Sequence, residues 1–158
     1  NLGFALDHPG WLSSDQIAPR SQLRSIRPGR YRLKRTLSMR KLRKKRVKLY
    51  GRATDTGSGV ARVEMSLMRI ANRGKREKYC RSWNPARSRY MYMGKRRGSC
   101  RRMNWFNAIG SDRFRMVMTP RMTKRGRFIL RIRAIDRVGN VETIFSPRRK
   151  NSFRFRIR

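Results

Sequence analysis

The chain has 158 residues, of which 37% are hydrophobic, and this length and composition suit one domain with a normal core. It carries 44 Lys and Arg against 8 Asp and Glu, a formal net charge of +36 at pH 7. Small soluble domains typically carry a net charge of about 2–8 in magnitude, so solubility alone does not explain this excess. Arginine supplies 34 of the 44 cations, and its guanidinium grips phosphate through paired hydrogen bonds. The composition therefore predicts a polyanionic partner.

The N-terminal segment 1–19 differs from the rest because it contains no Lys or Arg and two of the eight acids. Its scattered apolar residues are Leu2, Phe4, Leu6, Trp11 and Leu12. We predict an extended N-terminal arm over residues 1–19 and a basic domain over residues 20–158. Such an arm could add a strand to the open sheet edge of a neighbouring copy and so build a homopolymer.

A dense basic run follows at residues 40–48, with seven cations in nine positions: Arg40, Lys41, Arg43, Lys44, Lys45, Arg46 and Lys48. From residue 47 onward, apolar and polar residues alternate, which predicts a half-buried strand. The apolar face of this strand consists of Val47, Leu49, Gly51 and Ala53.

The same period of two recurs in four later segments, separated by turn signals. The predicted inward residues are Val63, Met65, Leu67, Phe114, Met116, Met118, Phe128, Leu130, Ile132, Ala134, Phe153, Phe155 and Ile157. The predicted outward residues are Arg62, Glu64, Ser66, Arg113, Arg115, Arg127, Arg131, Arg133, Arg154, Arg156 and Arg158. No sustained helical period is present. Short alternating strands predict an all-β fold, an antiparallel sandwich or barrel.

Cys80 and Cys100 are the two cysteines, and a zinc site would need four ligands. We favour a disulfide between them, with two free thiols as the alternative. A disulfide would imply an oxidising compartment. No apolar run in the sequence is long enough to span a membrane. The start at Asn1 without a Met fits a mature secreted form, and a trimmed chain would look the same.

Catalytic patterns are weak. The only histidine, His8, lies in the arm, where a solvated or interface role is the simpler interpretation. Residues 55–58 read D-T-G-S, as in aspartic proteases, but that chemistry needs two such carboxylates and the sequence holds one copy. We expect no enzymatic activity, no cofactor and no metal.

Two stretches carry a recognisable pattern: G-R-A-T-D-T-G-S-G-V-A-R-V-E-M-S-L at 51–67 and G-R-F-I-L-R-I-R-A-I-D-R-V-G-N-V-E at 126–142. Together they resemble the bacterial immunoglobulin-like domains of secreted and cell-surface proteins. The positions of the two cysteines, Trp83 and Asn151 resemble those of a Cys-containing subset of that family. The resemblance implies an immunoglobulin-like antiparallel β-sandwich, while the outward faces carry Arg and Lys where the family usually has Ser, Thr, Gly and acids.

Asp55 and Asp136 lie in the turns of these two motifs. We interpret them as residues whose carboxylates accept hydrogen bonds from nearby backbone N–H groups. Calcium binding is the alternative, and a net charge of +36 opposes it.

The candidate polyanion-binding residues are the cations of the basic run and the outward arginines. They are Arg40, Lys41, Arg43, Lys44, Lys45, Arg46, Lys48, Arg113, Arg115, Arg127, Arg131, Arg133, Arg154, Arg156 and Arg158. Side chains at i and i+2 of a strand lie about 6.7 Å apart, close to two nucleotide rises, so such a face can follow a phosphate backbone. Aromatic residues between 81 and 106 could stack on bases, but we favour a role for them in the core.

These patterns favour a secreted or cell-surface domain that coats or captures nucleic acid without sequence preference. The partner could instead be another polyanion, such as teichoic acid or an acidic polysaccharide. A different class of function is a structural subunit of an extracellular fibre or surface layer that assembles through the arm. A third is an intracellular basic protein of ribosomal type, which free thiols at the two cysteines would support and a disulfide would argue against.

Overall fold

The computed structural model describes residues 17–25, 36–44, 46–73, 77–92 and 100–158. Within these ranges the chain forms eleven strands and one short helix. They are β1 (Arg20–Ser25), β2 (Thr36–Leu37), α1 (Met39–Lys44), β3 (Val47–Thr54), β4 (Val60–Arg73), β5 (Glu77–Asn84), β6 (Arg89–Met91), β7 (Phe106–Asn107), β8 (Ile109–Gly110), β9 (Arg113–Met118), β10 (Gly126–Asp136) and β11 (Ser152–Ile157). The predicted all-β class is confirmed.

The strands form two sheets. One has four strands in the order β1-β3-β9-β8, and the other follows the order β2-β11-β10-β4-β5-β6, with β7 also paired to β4. Every pairing between these strands is antiparallel except that of β2 with β11, which is parallel. The predicted purely antiparallel arrangement is therefore corrected at one sheet edge, where the two-residue strand β2 runs alongside the last strand of the chain.

One cluster of buried apolar side chains takes residues from both sheets. Leu49 of β3 and Phe114 of β9 come from the four-stranded sheet, and Met65 of β4 and Phe128 of β10 come from the seven-stranded sheet. Phe128 and Phe155 stack with ring centroids 5.3 Å apart. All the predicted inward residues are buried apart from Phe153, which is half-buried. The alternation thus identified the core, because successive side chains of a strand point to opposite faces.

The basic run at 40–48 contains the one helix of the described residues, and the sequence analysis did not predict it. Met39 and Leu42 of α1, three positions apart, pack against the core, while Arg40 on the same helix is exposed. The Met39 N–H donates to the carbonyl of Arg158, which ties the helix to the chain end. A six-residue helix with two apolar residues is too short to produce a detectable helical period.

The buried carboxylate of Glu142 joins distant parts of the chain. It accepts hydrogen bonds from Ser21 N–H and Oγ, from Ala134 N–H and from Asn151 Nδ2, at 2.6 to 3.2 Å. Glu142 is 2% exposed and Asn151 is fully buried. These bonds link β1 of one sheet to β10 of the other and to the residue that precedes β11.

The two motif aspartates shape turns, as the sequence predicted. Asp55 Oδ2 accepts from Gly59 N–H at 2.8 Å. Asp136 Oδ1 accepts from the N–H groups of Val138 and Asn140 at 3.1 and 2.8 Å. Both carboxylates therefore accept hydrogen bonds from the local backbone.

No helix among the described residues has the length and apolar character needed to cross a membrane.

Candidate polyanion interface

The outer face of the seven-stranded sheet is covered. Cys80 of β5 forms a disulfide with Cys100, so the predicted bridge is confirmed. Met68 and Ile129 are buried beside Cys80 on this face, and Met103 packs against them. The segment that begins at Cys100 therefore lies over this sheet. This cover also corrects the prediction that Ser66 faces solvent, because Ser66 is fully buried.

Aromatic rings cover two of the predicted binding arginines, Arg131 and Arg133. The Arg133 guanidinium lies 4.1 Å from the ring centroid of Trp105 and pairs with Glu64 at 2.7 Å. Trp105 stacks on Phe145 with centroids 5.7 Å apart, and Arg131 lies over the Phe145 ring at 5.7 Å.

Burial lowers the pKa of Arg131, and the charge of nearby Arg154 lowers it further. Both covered arginines are half-buried and already engaged within the protein. They are therefore weaker candidates for a partner than the sequence suggested.

The outer face of the four-stranded sheet is different, because its cations are exposed. We call this set the cationic face; it consists of Arg20, Arg24, Arg46, Lys48, Arg52, Arg113 and Arg115. They lie on β1, β3 and β9 or directly before β3. In the described part of the chain both ion pairs involve Glu64, so no described acid pairs with these seven cations.

Strand register places like charges side by side on this face. Arg52 of β3 lies directly opposite Arg113 of β9, and Tyr50 lies opposite Arg115. The Cβ atoms of directly opposite residues are about 5 Å apart, and like charges in such positions destabilise a sheet. A bound anion between the strands would remove this repulsion, so the arrangement favours an anionic partner.

A shallow depression of about 380 Å³ lies on the same side of the sheet. Its lining residues are Arg46, Lys48, Tyr50, Ile109, Arg115 and Val117. Three cations therefore surround one aromatic ring and two aliphatic side chains. An anion with an attached flat or apolar group matches this combination.

The other predicted residues are dispersed. Arg40 is exposed on α1, and Lys41, Arg43 and Lys44 belong to the same helix, although their side chains lie outside the described residues, as does all of Lys45. Arg127, Arg154 and Arg156 lie on the seven-stranded sheet, where Arg127 is opposite Arg156. Arg158 ends the chain, with its backbone bonded to Leu37 and Met39. The arm residues Leu2, Phe4, Leu6, Trp11 and Leu12 lie outside the described residues, and their assembly role stays a prediction.

Four residues of the interface were missed by the sequence analysis: Arg20, Arg24, Arg52 and Tyr50. Arg52 and Tyr50 alternate with the buried residues of β3, so the pattern that identified the strand already placed them on the outer face. Arg20 precedes the buried Ser21 on β1 in the same way, whereas the exposed Arg24 lies at a shift in the register between β1 and β3. The alternation therefore locates Arg20, Arg52 and Tyr50 but not Arg24.

Most of the aromatic residues considered for base stacking serve the interior. Trp83 is 4% exposed and packs edge-on against Tyr90, with ring centroids 5.2 Å apart. The Tyr90 hydroxyl donates to the Met122 carbonyl at 2.6 Å. Phe106 packs against the main core. The core interpretation thus holds for Trp83, Tyr90 and Phe106, but Tyr92 is exposed and Trp105 lies half-buried over Arg133.

Among the described residues no three His, Cys, Asp or Glu side chains are grouped so that they could hold a metal ion. Comparison with known proteins finds no family model, no curated protein and no solved structure that matches this chain. The site therefore has to be interpreted from its own geometry.

Proposed function

We propose that this chain is a secreted, non-enzymatic, polycationic domain that binds a polyanion, most of all the phosphate backbone of nucleic acid, without sequence preference. The observation that carries the proposal is the cationic face: seven exposed cations with no described acid to pair them. Arginines within it lie opposite each other in register. Such a face attracts phosphate and reads no base edge, because base-specific recognition needs an element that enters a groove.

Two further observations support parts of the proposal. The Cys80–Cys100 disulfide is typical of proteins in oxidising compartments, which favours secretion. The two sheets share one core, and the two motif turns are held by Asp55 and Asp136, which suits an immunoglobulin-like sandwich. We propose that fold family on these grounds, together with the sequence pattern at 51–67 and 126–142.

The test compares two variants with the same change in charge. The first replaces Arg52, Arg113 and Arg115 of the cationic face with Ser. The second replaces Arg102, Arg127 and Arg154, which are exposed on the opposite side of the protein, with Ser. Circular dichroism and thermal unfolding check that both variants fold.

Affinity is measured by fluorescence anisotropy with two 30-base-pair duplexes of unrelated sequence, over a series of salt concentrations. We expect the wild type to bind both duplexes alike. The first variant should bind more weakly, with a log–log salt slope shallower by up to about three units. The second should lose markedly less.

Equal losses in the two variants would refute this face as the contact surface. A hundredfold preference for one duplex would refute backbone recognition. Heparin is a second probe: binding of heparin without binding of either duplex would assign the partner to acidic polysaccharides and overturn the nucleic-acid proposal.

A further inference from the structure

We infer that the depression around Tyr50 takes an unpaired nucleobase, which a single strand offers and a duplex does not. This inference rests on the proposed function and specifies the partner of the same face. The feature that carries it is the placement of one aromatic side chain among the cations of an otherwise polar sheet surface.

Tyr50 occupies the middle of the cationic face. It lies on β3, which is flanked by β1 and β9, and its register partners are Ser25 on one side and Arg115 on the other. Within the strand it has Lys48 and Arg52 as its outward neighbours at i−2 and i+2. A nucleic-acid strand bound along these cations therefore passes over the Tyr50 ring.

The other described tyrosine side chains are already engaged. Tyr90 is half-buried, packs against Trp83 and Phe128, and donates its hydroxyl to the Met122 carbonyl. The Tyr92 hydroxyl accepts from Arg81, whose guanidinium also lies 4.5 Å from the Tyr92 ring centroid. The Tyr50 side chain, by contrast, makes no hydrogen bond and no ring contact with the described part of the chain, although its backbone is paired on both sides. The half-buried ring lines the depression and can stack on a ligand there.

The shape of the depression suits a base. Its volume of about 380 Å³ lies at the small end of the range for ligand sites, which is about 300–1,000 Å³. Ile109 and Val117 supply apolar walls, while Arg46, Lys48 and Arg115 supply charges for the flanking phosphates. Every base has a flat π-face, so stacking on tyrosine tolerates any sequence, but the bases of a duplex are stacked on each other and cannot enter.

The experiment uses four probes: a 30-nucleotide oligothymidine, an abasic 30-mer with the same phosphates, a 30-base-pair duplex and heparin. Wild type is compared with Tyr50→Leu, Tyr50→Phe and, as a matched control, Tyr92→Leu, which removes an exposed tyrosine that directly follows β6. Dissociation constants are measured by anisotropy or competition at one salt concentration.

We expect the wild type to bind oligothymidine about tenfold more tightly than the abasic strand, as the loss of one stacked base predicts. Tyr50→Leu should abolish this difference, whereas Tyr50→Phe and Tyr92→Leu should keep it. Binding of Tyr50→Leu to duplex and to heparin should be unchanged. Circular dichroism checks that the variant is folded, because an unfolded chain of net charge +36 would also bind heparin and duplex.

Equal affinity of the wild type for oligothymidine and the abasic strand would overturn the inference and leave polyanion binding intact. A base preference that persists in Tyr50→Leu would overturn the assignment to this depression. Failure of the wild type to bind any of the four probes would overturn the proposed function as well, so the two failures are distinguishable.

Discussion

The Ser21 hydroxyl donates a 2.6 Å hydrogen bond to Glu142 Oε2 across 121 positions of the chain. Ser21 belongs to the four-stranded sheet, and Glu142 also accepts from Ala134 of the seven-stranded sheet. In a chain of net charge +36 this carboxylate is held by neutral donors, since neither ion pair of the described residues includes it. The buried donors around it would have no partner if the carboxylate were removed.

We therefore expect Glu142→Ala to lower the free energy of unfolding by at least about 3 kcal/mol, because several buried donors lose their acceptor. Urea denaturation followed by circular dichroism measures this. Ser21→Ala should cost about 1.5–3 kcal/mol, as for a hydrogen bond to a charged group. The control, Asp112→Ala, removes an exposed carboxylate and should change stability by less than about 0.5 kcal/mol. A Glu142→Ala variant as stable as this control would contradict the structural role of the carboxylate.

The second prediction concerns the disulfide. Replacing both Cys80 and Cys100 with Ala should destabilise the domain by about 3 kcal/mol, because the unfolded chain gains conformational freedom. For a protein of this size that corresponds to a fall in Tm of about 6–12 °C. Differential scanning calorimetry with and without reductant measures it. Reductant should lower the Tm of the wild type and leave that of the double variant unchanged, and a wild type insensitive to reductant would count against the prediction.

The third prediction tests the contact of Arg133 with Trp105. A double-mutant cycle of Arg133→Met and Trp105→Leu should give a coupling energy of about 1 kcal/mol, as for a partly desolvated cation–π pair. The control cycle pairs Trp105→Leu with Arg113→Met, which lies on the other sheet, and should give less than about 0.5 kcal/mol. Urea denaturation supplies the four stabilities of each cycle. Equal coupling energies in the two cycles would show that the contact between Arg133 and Trp105 does not hold the segment 100–105 on the seven-stranded sheet.

The fourth prediction is a pH dependence. Burial raises the pKa of Tyr90 above its ordinary value, with a smaller opposing effect of Arg69. The phenol therefore ionises first in the unfolded chain, at about pH 10. Stability from the neutral phenol is fully present below that pH and is lost as the pH rises above it, by up to about 1.4 kcal/mol per pH unit.

Tyr90→Phe lacks this ionisation but also lacks the hydrogen bond to Met122. It should be about 1 kcal/mol less stable than the wild type at pH 7. The difference should shrink and then reverse between pH 10 and 11.5. Comparing the two proteins at each pH cancels the titration of the lysines, which both share. Stability curves that stay parallel up to pH 11.5 would refute the prediction.

Much of the fold could be predicted from local pattern. Period-two alternation identified β3, β4, β9, β10 and β11 and nearly all of their buried residues, because the pleat sends neighbouring side chains to opposite faces. The turn roles of Asp55 and Asp136 followed from the short reach of a carboxylate to its own backbone. The alternation did not predict α1, β1, β2, β5, β6, β7 or β8. The helix α1 and the parallel strand β2 are each too short to carry a period of their own.

Composition and alternation indicate a strongly basic all-β protein with a defined core and a favoured disulfide. Which basic strand faces are open to a partner depends on tertiary contacts. Arg131 and Arg115 occupy equivalent outward places in the alternation, yet Phe145 lies over Arg131 while Arg115 is exposed. Alternation within a strand shows which side chains point to the core and which point away from it. Whether an outward side chain is then covered depends on residues that are far away in the chain. Here the disulfide and the segment from Cys100 to Trp105 cover one sheet and leave the cations around Tyr50 exposed.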